Sequence, residues 1–120
     1  MEPGFRDGLI YRLMPPVEWD MAVASGHLPY NAHDERDGFM HLSAPHQVLE
    51  TANKHYTVHM ELMAAGIDPD VLGDMLKWEA SRGGDLFPHA YGFVPTEAVV
   101  HRLAVRQNKE GRFVVVEAAG

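Results

Sequence analysis

The chain has 120 residues, no cysteine, and ten Lys and Arg against 17 Asp and Glu, for a formal net charge of −7. That length supports one domain with a real core, and the missing cysteines exclude disulfides, thiolate metal ligands and cysteine nucleophiles and suit a reducing cytoplasm. The acidic balance argues against wrapping a nucleic-acid backbone, which draws its affinity from many Lys and Arg.

No run approaches the ~20 apolar residues of a membrane span, and residues 1–7 lack a charged-then-apolar signal pattern. The expectation is therefore a soluble cytoplasmic protein, a single domain over residues 1–120 with residues 1–8 as a candidate disordered lead. Leu9 to Met14 reads as a first strand, with Ile10 and Arg12 on one side and Tyr11 and Leu13 on the other. Pro15 and Pro16 end it. Val17 to Ser25 reads as a short helix that buries Val17, Met21, Val23 and Ala24 and turns Glu18, Asp20 and Ser25 to water, with Gly26 as its stop.

His27 to Arg36 shows no period and reads as a surface loop, with residues 34–37 as a solvated charged turn rather than a metal loop. The run Asp37-Gly38-Phe39-Met40-His41-Leu42-Ser43 follows. Gly38 permits a tight entry by tolerating positive φ, Phe39 to Leu42 make a brief strand, and Ser43 with Pro45 reads as an N-cap and first-turn proline. A strand that delivers His41 beside a helix N-terminus offers backbone N–H groups and a dipole to an anion or nucleotide. The alternative is a hydrogen-bonded core histidine beside a plain cap.

Pro45 to Tyr56 reads as a helix with Val48, Leu49, Ala52 and Tyr56 apolar, and Val58 to Ile67 as an alternating strand turned out by Asp68-Pro69. His55 and His59 have a zinc-protease spacing without its glutamate. Val71 to Met75 suggests a helical turn, Leu76 to Glu79 a strand, and Ala80 to Asp85 a glycine-bearing loop. Phe87-Pro88-His89-Ala90-Tyr91-Gly92 gathers aromatics around a histidine, which suits either a stacking slot for a base or an aromatic lid on the core. Val99–Arg106 and Phe113–Glu117 close the chain as a hairpin. Two helices in the N-terminal half and strands concentrated after them indicate α+β with small, mostly antiparallel sheets.

Taken in order, Leu9-Ile10-Tyr11, Glu18-Trp19, Asp37 to Ser43, Leu76-Lys77-Trp78-Glu79 and Phe87 to Gly92 resemble the bacterial family called domain of unknown function 952, over nearly the whole chain. Met40-His41-Leu42-Ser43, followed by a helix and an apolar strand ending in Asp68, is also distantly similar to the RNA 2′-phosphotransferases of the ADP-ribosyltransferase-like superfamily. That resemblance implies a pair of small antiparallel sheets flanking an NAD cleft, and chemistry at the nicotinamide–ribose bond through an oxocarbenium-like state. His41 and Ser43 match the histidine and serine lining the phosphotransferase pocket, with His41 the implied catalytic histidine.

Residue chemistry adds further candidates. Glu79 is the carboxylate for the ribose, Trp78 or Tyr91 supplies stacking, Arg12 or Arg82 meets the pyrophosphate, and His89 is a fixed side chain of the same pocket. The phosphotransferases carry an N-terminal basic lobe that engages RNA, whereas this sequence starts close to its first core strand and is acidic; RNA is not the implied partner. A Glu-x-Glu motif of protein-modifying toxins is absent too. The expectation is a nucleotide ligand of NAD or ADP-ribose type, no metal, no membrane, and a monomer or weak homodimer. Competing readings are a silent nucleotide-binding module and a hydrolase with zinc on His41 and His89. His27, His33, His46, His55, His59 and His101 lack motif support and read as surface or structural.

Overall fold

The prolines after the first apolar run turn the chain from a strand, β1 (Ile10–Met14), straight into a helix, α1 (Pro16–Ser25). The computed structural model describes residues 4–118, without the side chains of Arg82, Glu117 and Ala118. The order continues with α2 (Ala32–Asp37), β2 (Met40–His41), a 3-10 turn over Pro45–Gln47 leading into α3 (Val48–His55), β3 (Glu61–Ile67), α4 (Pro69–Leu72), β4 (Leu76–Ala80), β5 (Leu86–Ala90), β6 (Val99–Gln107) and β7 (Phe113–Ala118). The strands form two antiparallel sheets, in the orders β1-β3-β6-β7 and β2-β5-β4. This is an α+β molecule with small antiparallel sheets. The expectation of two helices omits α2, and the helical turn expected over Val71 to Met75 appears as α4 and the 3-10 turn at Gly73–Met75 that follows it.

Both faces of the larger sheet are covered. On one, Ile10, Met14, Met63, Ala65 and Ile67 pack against Ala22 and Trp19 of α1 and against Met40, Leu42 and Ala90 of the small sheet and its flank. On the other, Tyr11, Leu13, Leu62, Ala64, Leu103 and Val105 pack against Val48 and Ala52 of α3. Leu62 to Ile67 are therefore all buried, which explains why an alternating strand from Val58 is wrong: alternation marks a sheet with one wet face, and this strand has none. Val58 and Met60 stand exposed in the turn before it.

The face chosen for α1 is also wrong. Val17, Met21 and Val23 are exposed, while Ala22 is buried and Trp19 packs on the core with the Arg102 guanidinium 4.9 Å from its ring centre. Trp19 offers more apolar area than the valines it displaces, and its cation–π contact fixes the helix rotation.

Tyr11 enters the second cluster closely enough to demand a glycine opposite. A Cβ on Gly66 would lie 2.9 Å from both Tyr11 Cε2 and His101 Cβ. The Tyr11 hydroxyl receives the Arg6 N–H at 2.8 Å and shares a hydrogen bond with His101 Nδ1 at 2.9 Å, and Phe5 meets its ring edge-on. The lead expected to be disordered is thus tied down at Phe5 and Arg6; residues 1–3 lie outside the described residues.

Candidate functional site

The segment taken for a loop contains α2, and its capping creates the charge centre of the site. Asn31 Oδ1 accepts the Asp34 N–H at 2.9 Å and Asp34 Oδ2 accepts the Asn31 N–H at 2.8 Å, a reciprocal capping box. Asp34 is consequently not solvated but wholly buried. Its carboxylate also takes Arg12 Nη1 and Nη2 at 3.2 and 2.5 Å, the His41 N–H at 3.0 Å and His41 Nδ1 at 2.8 Å. Burial pushes the Asp34 pKa up, but the hydrogen bonds from His41 and Arg12, the Arg12 charge and the Asn31 N–H outweigh it and hold the group at about 2.

Gly38, at φ 84°, closes α2 and turns the chain into β2. The turn brings Asp37 back over His41, whose Nε2 lies 2.9 Å from Asp37 Oδ2. Arg36 also holds Asp37 and lowers its pKa. Arg12, Asp34, His41, Asp37 and Arg36 thus form one hydrogen-bonded row from the core to the surface.

In the small sheet His41 pairs directly with His89 and Lys77 pairs with His89 on the other side, so these side chains share one face. Phe39 stacks on His89 with ring centres 4.0 Å apart, and the two imidazoles meet edge-on at 5.7 Å. Glu79 Oε1 lies 2.8 Å from His89 Nδ1 and accepts the Tyr91 hydroxyl at 2.7 Å, and these two bonds lower its pKa. Trp78 is one residue out of this register and points to the opposite face, half exposed.

A cavity of about 660 Å³ opens where β1 meets β2. The two sheets touch there through a backbone bridge, Tyr11 N–H to Ser43 O at 2.8 Å and Ser43 N–H to Tyr11 O at 2.9 Å. His41, Ser43 and His89 line it, with Thr51 accepting the Ser43 hydroxyl at 3.2 Å. Tyr11, Tyr56 and Phe87 give it aromatic surface, and Glu18, Arg36 and Asp37 give it charge. His33, His55 and His59 line it as well, so five of the eight histidines face one space. Burial raises the pKa of Glu18 and of Tyr56, Arg12 partly offsetting both.

Of the residues singled out in sequence, His41, Ser43 and His89 come together. Arg12 does not reach the cavity: it is buried, bonded to Asp34, His41 O and Pro29 O. Trp78 and Tyr91 are not on the cavity wall, and Glu79 stands behind His89. The Arg82 side chain lies outside the described residues, though its neighbour Ser81 lines the cavity. Ser43 is not an N-cap; Ala44 precedes the turn, and its N–H is taken by Gln47 Oε1 at 2.9 Å, which closes that helix start to an anion. Zinc shared by His41 and His89 finds no support, since three of their four ring nitrogens already face carboxylates. Among the described residues no group of three or more His, Asp or Glu is placed to hold an ion. Among the described residues no helix is long and apolar enough to cross a membrane.

Glu18, Asp34, Asp37, His33, His55 and His59 were missed. The Asn31-x-x-Asp34 capping signature and the four-residue spacing of His55 and His59 were the signals in the chain; the others meet through tertiary packing.

No curated protein matches the chain. The crystal structure of protein CC0527 from Caulobacter crescentus is 39% identical, with a TM-score of 0.83 over 88% of this chain and 93% of that one. Its solution NMR structure gives 0.76 at 39% identity over 88% and 90%. Residues 13–102 match the family described as Protein of unknown function (DUF952), and the chain belongs to that family.

Proposed function

We propose that the cavity is a nucleotide site of the NAD or ADP-ribose type, on an ADP-ribosyltransferase-like fold. The observation that carries this reading is the meeting of His41, Ser43 and His89 on one wall of a space of about 660 Å³, within the range of small-molecule and cofactor pockets. Tyr11, Tyr56 and Phe87 offer apolar surface to a ring, and Ser43, Thr51 and the histidines offer polar contacts to ribose and phosphate. With Arg12 enclosed, Arg36 at the cavity is the described guanidinium closest in role to a phosphate ligand.

A second reading, cleavage of NAD at the nicotinamide–ribose bond, is favoured by Glu18, a half-buried carboxyl on the cavity wall that takes the place intended for Glu79. One titration tests both readings. Purified protein and His41→Ala are titrated calorimetrically with ADP-ribose, NAD and nicotinamide while free nicotinamide is assayed. Saturable binding that the variant weakens at least tenfold is expected, and no binding by any of the three at millimolar concentration overturns the nucleotide reading. Nicotinamide release selects the enzyme over the binding module.

A further inference from the structure

We propose that His41 and His89 form an acid–base pair that hydrolyses a nucleoside phosphodiester bound in the cavity, with His89 as proton acceptor and His41 as proton donor. The proposal rests on the nucleotide reading above and names the bond that reacts.

Both rings sit on one face of paired strands, edge-on with centres 5.7 Å apart, and both line the cavity. Each is held at Nδ1 by a carboxylate: Asp34 from α2 at 2.8 Å and Glu79 from β4 at 2.8 Å. A carboxylate accepts, so each Nδ1 carries a proton and each ring is fixed in orientation. The difference lies at Nε2. In His41 it faces Asp37 at 2.9 Å, and both of that ring's hydrogen bonds are made only when both nitrogens are protonated. In His89, Nε2 has no hydrogen bond within the described residues, which leaves a lone pair for a substrate proton. Two histidines with opposite proton inventories, side by side on one cavity wall, supply the acid and the base that displacement at phosphorus requires.

In the step, a water oxygen bonds to phosphorus as its proton passes to His89 Nε2. The bond from phosphorus to the sugar oxygen breaks, and that oxygen takes the His41 Nε2 proton. The products are a phosphomonoester and a free hydroxyl, and exchange with solvent resets the two rings. Asp37 gives up His41 to the leaving oxygen and keeps its bonds to Arg36. An oxygen leaving group needs this acid, whereas nicotinamide departs without a proton.

Two measurements on the full chain test this. Long-range ¹H–¹⁵N spectra at neutral pH should show His41 protonated at both nitrogens and His89 at Nδ1 alone; both rings in one state, or His89 protonated at Nε2, overturns the pair. Hydrolysis of 2′,3′-cyclic AMP and of bis(p-nitrophenyl) phosphate is then followed in the wild type, His41→Asn and His89→Asn. His89→Asn should slow both substrates about 100-fold or more, and His41→Asn should slow the cyclic nucleotide about 100-fold while sparing the nitrophenyl ester, whose leaving group needs no proton. Equal loss on both substrates in His41→Asn, or no cleavage of either by the wild type, overturns the proposal. ADP-ribose binding without phosphodiester cleavage sinks this proposal and leaves the site; cleavage without ADP-ribose binding does the reverse.

Discussion

Removing the Asp34 carboxylate leaves the Arg12 guanidinium enclosed without its counter-charge and His41 Nδ1 without its acceptor. Breaking a buried pair from one side is far more damaging than its net contribution suggests, because the surviving charge stays desolvated. Asp34→Ala should therefore lose about 3–5 kcal/mol in urea unfolding, and a loss below about 1 kcal/mol would mean that water reaches Arg12. The pH dependence has a definite sign. Asp34 has its pKa lowered from 3.8 to about 2, so its contribution is present above pH 4 and is lost as pH falls through the interval down to about 2. Acid titration of the wild type should show stability falling over that window, with a shallower slope in Asp34→Ala. Gly66 poses a purely steric case: an added methyl meets the backbone-proximal Cβ of His101 and the Tyr11 ring at 2.9 Å. Gly66→Ala should lower stability by about 1–3 kcal/mol, read as a drop in Tm.

Helix α2 illustrates what periodicity cannot find. Ala32-His33-Asp34-Glu35-Arg36-Asp37 has no apolar stripe, so nothing in its pattern separates it from a loop. Its inward anchor is a charge, and the charge that receives it is on β1, more than twenty residues away. The local signal was the cap. Asn31→Ala removes the acceptor for the Asp34 N–H and should cost about 0.5–2 kcal/mol in thermal or urea unfolding; an unchanged midpoint would show that Arg12 alone holds the helix. Elements whose pattern is local were legible: the two-sided β1, the closing hairpin, the turn at Asp68-Pro69 and the stop at Gly26. Those set by a distant partner were not, as with the face of α1, fixed by Trp19 against Arg102, and the start of β3, fixed by two covering layers. At the site, a motif carried His41 and Ser43 and a composition cluster carried His89. Glu18, Asp37 and His33 share no spacing with one another or with the His55–His59 pair, because a cavity wall assembled from β1, α1, α2, β2, α3 and β5 leaves no period in the chain.

Across the molecule the cavity lies at the joint between two sheets of unequal support. Strand β3 has partners on both edges and packing on both faces, whereas β4 is an edge of the small sheet and most of its residues are exposed. Opening free energy follows buried contact and shared hydrogen bonds, so the two sheets should not open together. Native-state hydrogen exchange is expected to show the inner amides of β3 exchanging only with global unfolding, and those of β4 through local openings at least tenfold more frequent. Glu79 lies on β4 and fixes His89, so such openings would release the ring that faces the cavity. A ligand that holds His89 should then slow β4 exchange without touching it, and leave β3 unchanged. Uniform protection of β3 and β4 would instead make the two sheets one cooperative unit, with a cavity wall as rigid as the core behind it.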